Sequence, residues 1–286
     1  MFFKKKDVKL MKISKLFVII SVMMLSMLTH REAKSQIVEI GATAGLSYYI
    51  GDINPSLHFA QSDLALGASL RYYQSSRWAF RFQYSNLNLL ATDLESSYRP
   101  ERELGFQNNV NDFSLIAEFN FFDYWTGSKR NFITPYIFAG VSVFTFNPHY
   151  YNPNYPDDAT PLQPICTEGQ AEPYSLVSWS IPFGVGVKYS LHKRVGLTLE
   201  WRLHKTFTDY IDDISGVYPE PALVNGNYKY SDPTGDYEVG MQRGNGAVSS
   251  LGYNCDWFGT LALTISYKFN LPKKKGCSTG ISGRYY

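Results

Sequence analysis

The stretch that decides the fold is Asp256-Trp-Phe-Gly-Thr-Leu-Ala-Leu-Thr-Ile-Ser-Tyr-Lys-Phe-Asn270. Trp257, Leu261, Leu263, Ile265, Tyr267 and Phe269 are apolar or aromatic, and Thr260, Thr264, Ser266 and Lys268 between them are polar. A period of two means a strand with one greasy face. A tilted strand of about nine to eleven residues crosses a bilayer, and outward apolar residues bracketed by aromatics mark a lipid-facing side. Trp257 at one end and Tyr267 to Phe269 at the other supply such brackets. A lone strand in lipid would leave its backbone groups unpaired at several kcal/mol each, so the remaining chain has to close the sheet.

Composition agrees. With 22 Tyr and 19 Phe, aromatic residues make up 16% of the 286-residue chain, more than a soluble core needs. Mean hydropathy is nevertheless slightly negative. Greasiness hidden in alternation fits a barrel better than helical spans. The formal charge of +2 is concentrated at the start: residues 1–35 hold eight of the 27 Lys and Arg and two of the 25 Asp and Glu, leaving 19 against 23, a balance of −4. No nucleic-acid surface is implied.

Residues 1–35 read as a secretory signal peptide, with a Lys-rich start, an apolar run from Leu16 to Leu28 and Ala33-Lys34-Ser35 as a small-x-small cleavage site. Met11 opens a more ordinary signal than Met1. The alternative, an uncleaved anchor, needs a longer run than this one, since a spanning helix takes about 20 residues. The domain reading is therefore signal peptide 1–35, barrel 36–270 and basic tail 271–286, the tail carrying Lys273-Lys274-Lys275. Three cysteines, Cys166, Cys255 and Cys277, are an odd count for an exported chain. Cys166 and Cys255 either pair across two external loops or stay free; spacing alone does not decide it.

Seven further alternating segments precede the closing one: Val38–Ile50, Asp63–Gln74, Arg77–Leu87, Asn111–Phe122, Phe132–Phe146, Leu176–Leu191 and Arg194–Thr206. Ser75-Ser76 and His192-Lys193 make tight turns, and Trp125 to Arg130 reads as another short one. The other connections, including a polar stretch from about Ala91 to Asn109, are long. Eight strands with alternating long and short connections predict an all-β, eight-stranded antiparallel transmembrane β-barrel of outer-membrane type. A lipocalin-like barrel would instead face polar residues outward.

The same alternation sends Glu39, Glu118 and Glu200 inward together with Arg71, Arg81, Lys188, Arg202 and Lys268. Eight strands leave an interior just wide enough for side chains, so these charges are expected to pair as a plug rather than line a pore. The residues available for hydrolysis are His204 with Asp209, and Ser178 or Ser180. A nucleophile and base at the rim could support acyl transfer, but His204 lies on the inward face and can equally join the Glu200 and Arg202 pair. Asp209, Asp212 and Asp213 gather carboxylates at a loop start, which suits either a hard cation such as calcium or a hydrated rim. No phosphate loop, zinc spacing or cofactor motif occurs, so the expectation is no catalytic, cofactor or metal residues, and no small-molecule substrate.

Several blocks resemble a known family. They are Glu39-Ile-Gly, Ser47-Tyr-Tyr-Ile-Gly-Asp-Ile-Asn-Pro55, Ala117-Glu-Phe-Asn-Phe121, Thr134-Pro-Tyr-Ile-Phe-Ala-Gly140, Thr167-Glu-Gly-Gln170, Ile181-Pro-Phe-Gly-Val-Gly-Val-Lys-Tyr189 and Thr206-Phe-Thr-Asp-Tyr-Ile-Asp-Asp-Ile-Ser-Gly216. Together they look like the PorG-type outer-membrane protein of the type IX secretion system. The likeness runs to about Tyr218, and the last segment matches in pattern only. Residues 219–254, Cys255 and the tail with Cys277 inherit no role. The resemblance implies a non-enzymatic component that links the periplasmic ring of PorK and PorN to the outer membrane. An even strand number with short turns facing the periplasm puts both termini on that side. Such a protein would meet its partner through the tail and the short turns, whose basic residues are Arg77, Lys129, Arg130, Lys193 and Arg194, beside His192. Basic turns can also be no more than solvated ends. An outward-facing barrel whose long loops bind a ligand or protein is the other functional reading.

Overall fold

The computed structural model describes residues 37–96, 98–244 and 255–270. The expected signal peptide at 1–35, the tail at 271–286, Cys277 and part of the last long loop lie outside the described residues. Eight strands form the wall: β1 (Ile37–Ile50), β2 (Asp63–Tyr73), β3 (Trp78–Thr92), β4 (Gly105–Asn120), β5 (Ile133–Thr145), β7 (Val177–Ser190), β8 (Val195–Thr206) and β9 (Trp257–Asn270). A three-residue strand, β6 (Pro148–Tyr150), adds to the free start of β4 above the end of β5. All neighbours are antiparallel, and β1 pairs with β9 from Ile37↔Asn270 to Ile50↔Trp257, which closes the ring. The fold is thus a closed eight-stranded antiparallel transmembrane barrel of outer-membrane type, as the alternation predicts.

The wall is inside out relative to a soluble protein. Leu66, Leu70, Phe80, Phe82, Leu115, Ile137, Val185, Leu199, Leu263 and Ile265 all point outward and stay about half exposed, Leu115 at 61%. A continuous apolar belt of this size on a monomer has lipid as its natural neighbour. Trp78, Tyr189, Tyr267 and Phe269 ring its short-turn edge.

Two strands run further than the sequence reading has them. β3 continues past Leu87 to Thr92, and β4 begins at Gly105 rather than Asn111, so both ends of the stretch read as a polar loop are paired strand. The alternation persists there with its polarity reversed. Leu87, Leu89 and Phe106 point inward and are buried, whereas Asn86, Asn88, Asn109 and Asn111 form an outward ladder, with Asn86 Nδ2 donating to Asn109 Oδ1 at 2.7 Å and Asn109 Nδ2 donating to Asn88 Oδ1 at 2.7 Å. Outside the hydrocarbon an outward face needs polar groups, so this reversal marks the membrane boundary.

The β4–β5 connection is also longer than its sequence reading: it spans residues 121–132. Phe121 and Phe122 turn out toward lipid, and Tyr124 and Thr126 fold into the barrel mouth, where both are buried. Gly127 lets this happen, because at φ +89 its position holds no Cβ comfortably, and one would sit 2.2 Å from the Lys193 carbonyl oxygen. Inside the wall, the glycines of Phe183-Gly-Val-Gly-Val187 have a comparable use. Side chains there would strike Phe138 and Tyr136, whose rings from β5 lie across Gly184 and Gly186.

Candidate functional site

The middle of the barrel holds the expected plug. Glu118 receives Lys188 Nζ at 2.6 Å and stands 2.9 Å from the Nε atoms of both Arg71 and Arg81. The two Nε contacts lie off the N–H axis, so they act as charge pairing more than as directed hydrogen bonds. Glu200 accepts from Arg81 at 2.6 Å and from the Tyr136 hydroxyl at 2.5 Å, and also from Arg202. Glu39 takes Arg71 at 3.2 Å and the Thr126 hydroxyl. Lys188 lies 4.4 Å from the Tyr136 ring centroid, and Arg81 and Arg202 flank Phe138. These side chains are at most a few per cent exposed, so the lumen is filled by a charge-paired network, in which Arg71 Nη2 and Arg81 Nη1 make no hydrogen bond, rather than by a water path. Lys268 is the exception among the expected members. It is half-buried at the mouth, and its ammonium donates to the Thr126 carbonyl.

Ser180 and His204 do meet, with Ser180 Oγ 3.0 Å from His204 Nδ1. Asp209 is not their partner; it accepts from Ser215 at 2.7 Å. The acid beside His204 is Asp112, 3.7 Å from the same Nδ1, and Ser178 stands opposite Phe144 in the β5–β7 register. A nucleophile–base–acid relay needs its acid on the opposite ring nitrogen. His204 is fully buried and stacked 4.2 Å from Phe258, which leaves a substrate no approach. The arrangement is a lumen hydrogen-bond cluster that also takes in Ser142, whose hydroxyl is 2.6 Å from that of Ser180.

The three loop carboxylates diverge. Asp213 adopts φ +66, which turns it away from Asp212. It accepts from Tyr174 at 2.6 Å and from the Thr167 hydroxyl, near Arg243. Asp212 reaches the Tyr49 hydroxyl at 2.6 Å, where Asp256 also arrives at 2.7 Å. Among the described residues no group of three or more His, Cys, Asp or Glu is placed to hold a metal ion. Burial pushes the Asp209 carboxyl up to about 7 and that of Asp213 to about 6, the latter against the pull of Arg243. Cys166 and Cys255 are both free thiols, so the disulfide alternative is not realised.

The sequence reading missed Asp112, Tyr49, Asp256 and two buried loop arginines. Arg102 pairs with Asp93 at 2.7 Å, and Arg243 donates to the carbonyls of Asp213, Ser231 and Tyr230. One signal could have found the arginines: the four long connections hold 17 acidic residues and only four basic ones, so an arginine there is a candidate hub.

The short-turn end is the basic face. Residues 74–77, 121–132 and 191–194 carry Arg77, Lys129, Arg130, Lys193 and Arg194 against Asp123 alone. All five cations are exposed. The turns are fastened together: Gly127 N–H donates to Ser190 Oγ at 2.7 Å, Asn120 N–H to the Arg77 carbonyl at 2.8 Å, and Tyr124 N–H to that of Ser76 at 3.3 Å. Arg77 pairs with Asp123 at 2.8 Å, and Arg194 donates to the Tyr267 hydroxyl at 3.0 Å. Lys129, Arg130 and Lys193 are exposed on these fastened turns.

A family model described as "Domain of unknown function (DUF6089)" matches residues 14–231. No curated protein matches the chain. Among solved structures, the chain is similar to the outer membrane protein OprG from Pseudomonas aeruginosa, at 14% identity over 83% of this chain and 97% of that one, with a TM-score of 0.40. It is also similar to Ail of Yersinia pestis in complex with the heparin analogue sucrose octasulfate, at 9% identity over 82% and 100%, with a TM-score of 0.39. A third is the outer membrane enzyme PagL, at 11% identity over 80% and 98%, with a TM-score of 0.33. At these scores nothing that those proteins bind or do is carried over.

Proposed function

The chain belongs to the DUF6089 family, its match covering well over half of the 286 residues, and on that premise we propose that it is a non-enzymatic outer-membrane anchor. In this reading it is exported by residues 1–35, inserted with its short turns and both termini in the periplasm, and docked there on a ring assembly of the PorK and PorN kind in type IX secretion. The resemblance of the Thr206 to Gly216 block and its companions to PorG-type proteins motivates the assignment. The observation that carries it is the basic platform: three turns hydrogen-bonded into one exposed face of five cations and one acid. A filled barrel has only its ends with which to meet other molecules, and a rigid patch of one sign favours a partner of the other sign. The partner face is therefore acidic.

Replacing Lys129, Arg130, Lys193 and Arg194 together by Glu tests this. The expected result is a normally inserted, heat-modifiable barrel that no longer co-purifies with the ring from solubilised outer membrane. Unchanged co-purification refutes the docking surface. Deleting the gene should strand secreted cargo in the periplasm, and normal secretion refutes the assignment to that machine.

The loop-binding reading also has an observation in its favour. The long connections fold over a core shared with the strand ends, where Ile53, Leu104, Leu162, Ile211 and Ile214 pack with Tyr49, Phe106 and Phe144, and are not loose tethers. It predicts that grafting shorter loops abolishes a surface interaction while leaving secretion intact.

A further inference from the structure

The cap contains a hydrogen-bond count that does not close without an extra proton. The Tyr49 oxygen has three polar neighbours: Asp212 Oδ2 at 2.6 Å, Asp256 Oδ1 at 2.7 Å and the Asp52 backbone N–H at 2.9 Å. The phenol has one hydrogen and can serve one carboxylate. The Asp52 N–H occupies a lone pair on the oxygen. The second carboxyl oxygen then faces another lone pair unless it carries a hydrogen of its own. The other oxygens of the two acids are already committed, Asp256 Oδ2 to the Ile211 N–H at 2.9 Å and Asp212 Oδ1 to the Ile214 N–H at 3.0 Å.

We propose that this end of the barrel is held by a proton latch: one proton shared by Asp212 and Asp256 across the Tyr49 hydroxyl fixes the β8–β9 connection in the mouth, and its loss releases that connection. Three pieces of chain meet at the latch. Tyr49 is the penultimate residue of β1, Asp256 leads into β9, and Asp212 belongs to the loop between β8 and β9. The surroundings add like charge. Asp52 faces the pair from the β1–β2 connection, and Asp209 faces it from the loop itself. Glu168, from the β5–β7 connection, bears on Asp209 and Asp213. Two cations lie close by: Arg243 is engaged with Asp213 and reaches Asp212 only at longer range, and Arg102 donates to the Asp52 carbonyl at 3.0 Å and pairs with Asp93. Apolar Phe106 of β4 packs edge-on to Tyr49 at 4.9 Å, and Asn108 Nδ2 of β4 donates to the Ile211 carbonyl at 2.7 Å. Burial, followed by the neighbouring carboxylates, holds both acids well above the ordinary carboxylate range, the direction that a shared proton requires. Stripping it places two bare carboxylates on one phenol oxygen in a dry site, and the movable partner is the loop.

The test uses the full chain in bilayers, reading amide hydrogen exchange of residues 207–218 and protease cleavage of the same loop between about pH 6 and pH 9. Protection in the wild type should fall at least about tenfold across that range. Asp256→Asn carries its hydrogens permanently and should stay protected throughout; Asp212→Asn is the second variant if the first fails to assemble. The infrared carboxylic C=O band of a protonated acid should be present in the wild type at neutral pH and weaker in either variant. A wild type equally protected at both ends of the range, a variant that keeps the step, or no change in that band overturns the latch. So does protection that calcium alone restores at high pH, which would make the pair a cation site.

Discussion

The two ends of this barrel are built on opposite terms. At one, four connections carry 17 acidic and four basic residues, yet they fold inward over an aromatic core and bury much of that charge among carbonyls, phenols and two arginines. At the other, three connections of four, twelve and four residues carry five cations and one acid and leave the cations in solvent. The comparison teaches that the same wall can finish in a structure governed by protons or in one governed by salt. Buried carboxylates respond to pH and are shielded from ions, whereas exposed Lys and Arg keep their charge across the usual pH range and are screened.

The largest test lies between the ends. Glu118→Ala leaves Arg71, Arg81 and Lys188 around an empty centre, and removing one partner of a buried charge cluster costs about 3–5 kcal/mol. Urea unfolding of the barrel in lipid should show that loss, and a change within about 1 kcal/mol would mean that water replaces the carboxylate. Phe258→Ala should come next, at about 3–4 kcal/mol, because Phe258 is fully buried where β9 enters the cap, against Phe144 and His204. That loss should loosen the acidic end first in hydrogen exchange and spare residues 74–77.

The pH dependence sharpens the contrast. Asp209 sits at about 7 when folded, above its unfolded value, so the folded state holds the proton more tightly. Its contribution is fully present below the unfolded value of about 4 and is lost as pH rises toward about 7, after which it is flat. Asp209→Asn should flatten that part of the stability profile, and Asp93 and Asp213, both near 6, should leave a residual slope of the same sign. The smallest effect belongs to Arg77→Ala. Its pair with Asp123 is about half exposed, so thermal unfolding should shift by no more than about 1 kcal/mol, and by less in high salt. A large salt-independent loss there would break the distinction between the ends.

How far the sequence reached differs in the same way between regions. Alternation located all eight wall strands and the lumen charges, because lipid outside and a narrow lumen inside impose opposite chemistry on successive residues. It failed where that pressure changes sign: past Leu87 and before Asn111 the outward face turns to asparagine, and a rule tuned to greasy exteriors reads a loop. It also paired His204 with Asp209 on proximity along the chain, whereas the acid beside His204 is Asp112, which lies across the barrel on β4.

By itself the sequence determined the barrel, the strand faces, the plug and the charge carried by each set of turns, since all of these follow from a period of two against a known pair of solvents. Only the tertiary structure decided which carboxylates meet. Asp212 and Asp256 are 44 positions apart in the sequence, and Asp212 is next to Asp213, yet the left-handed turn at Asp213 sends that neighbour to Tyr174 and brings Asp256 to share Tyr49. No periodicity encodes such a meeting, because it depends on where a 50-residue connection comes to rest after the barrel has closed.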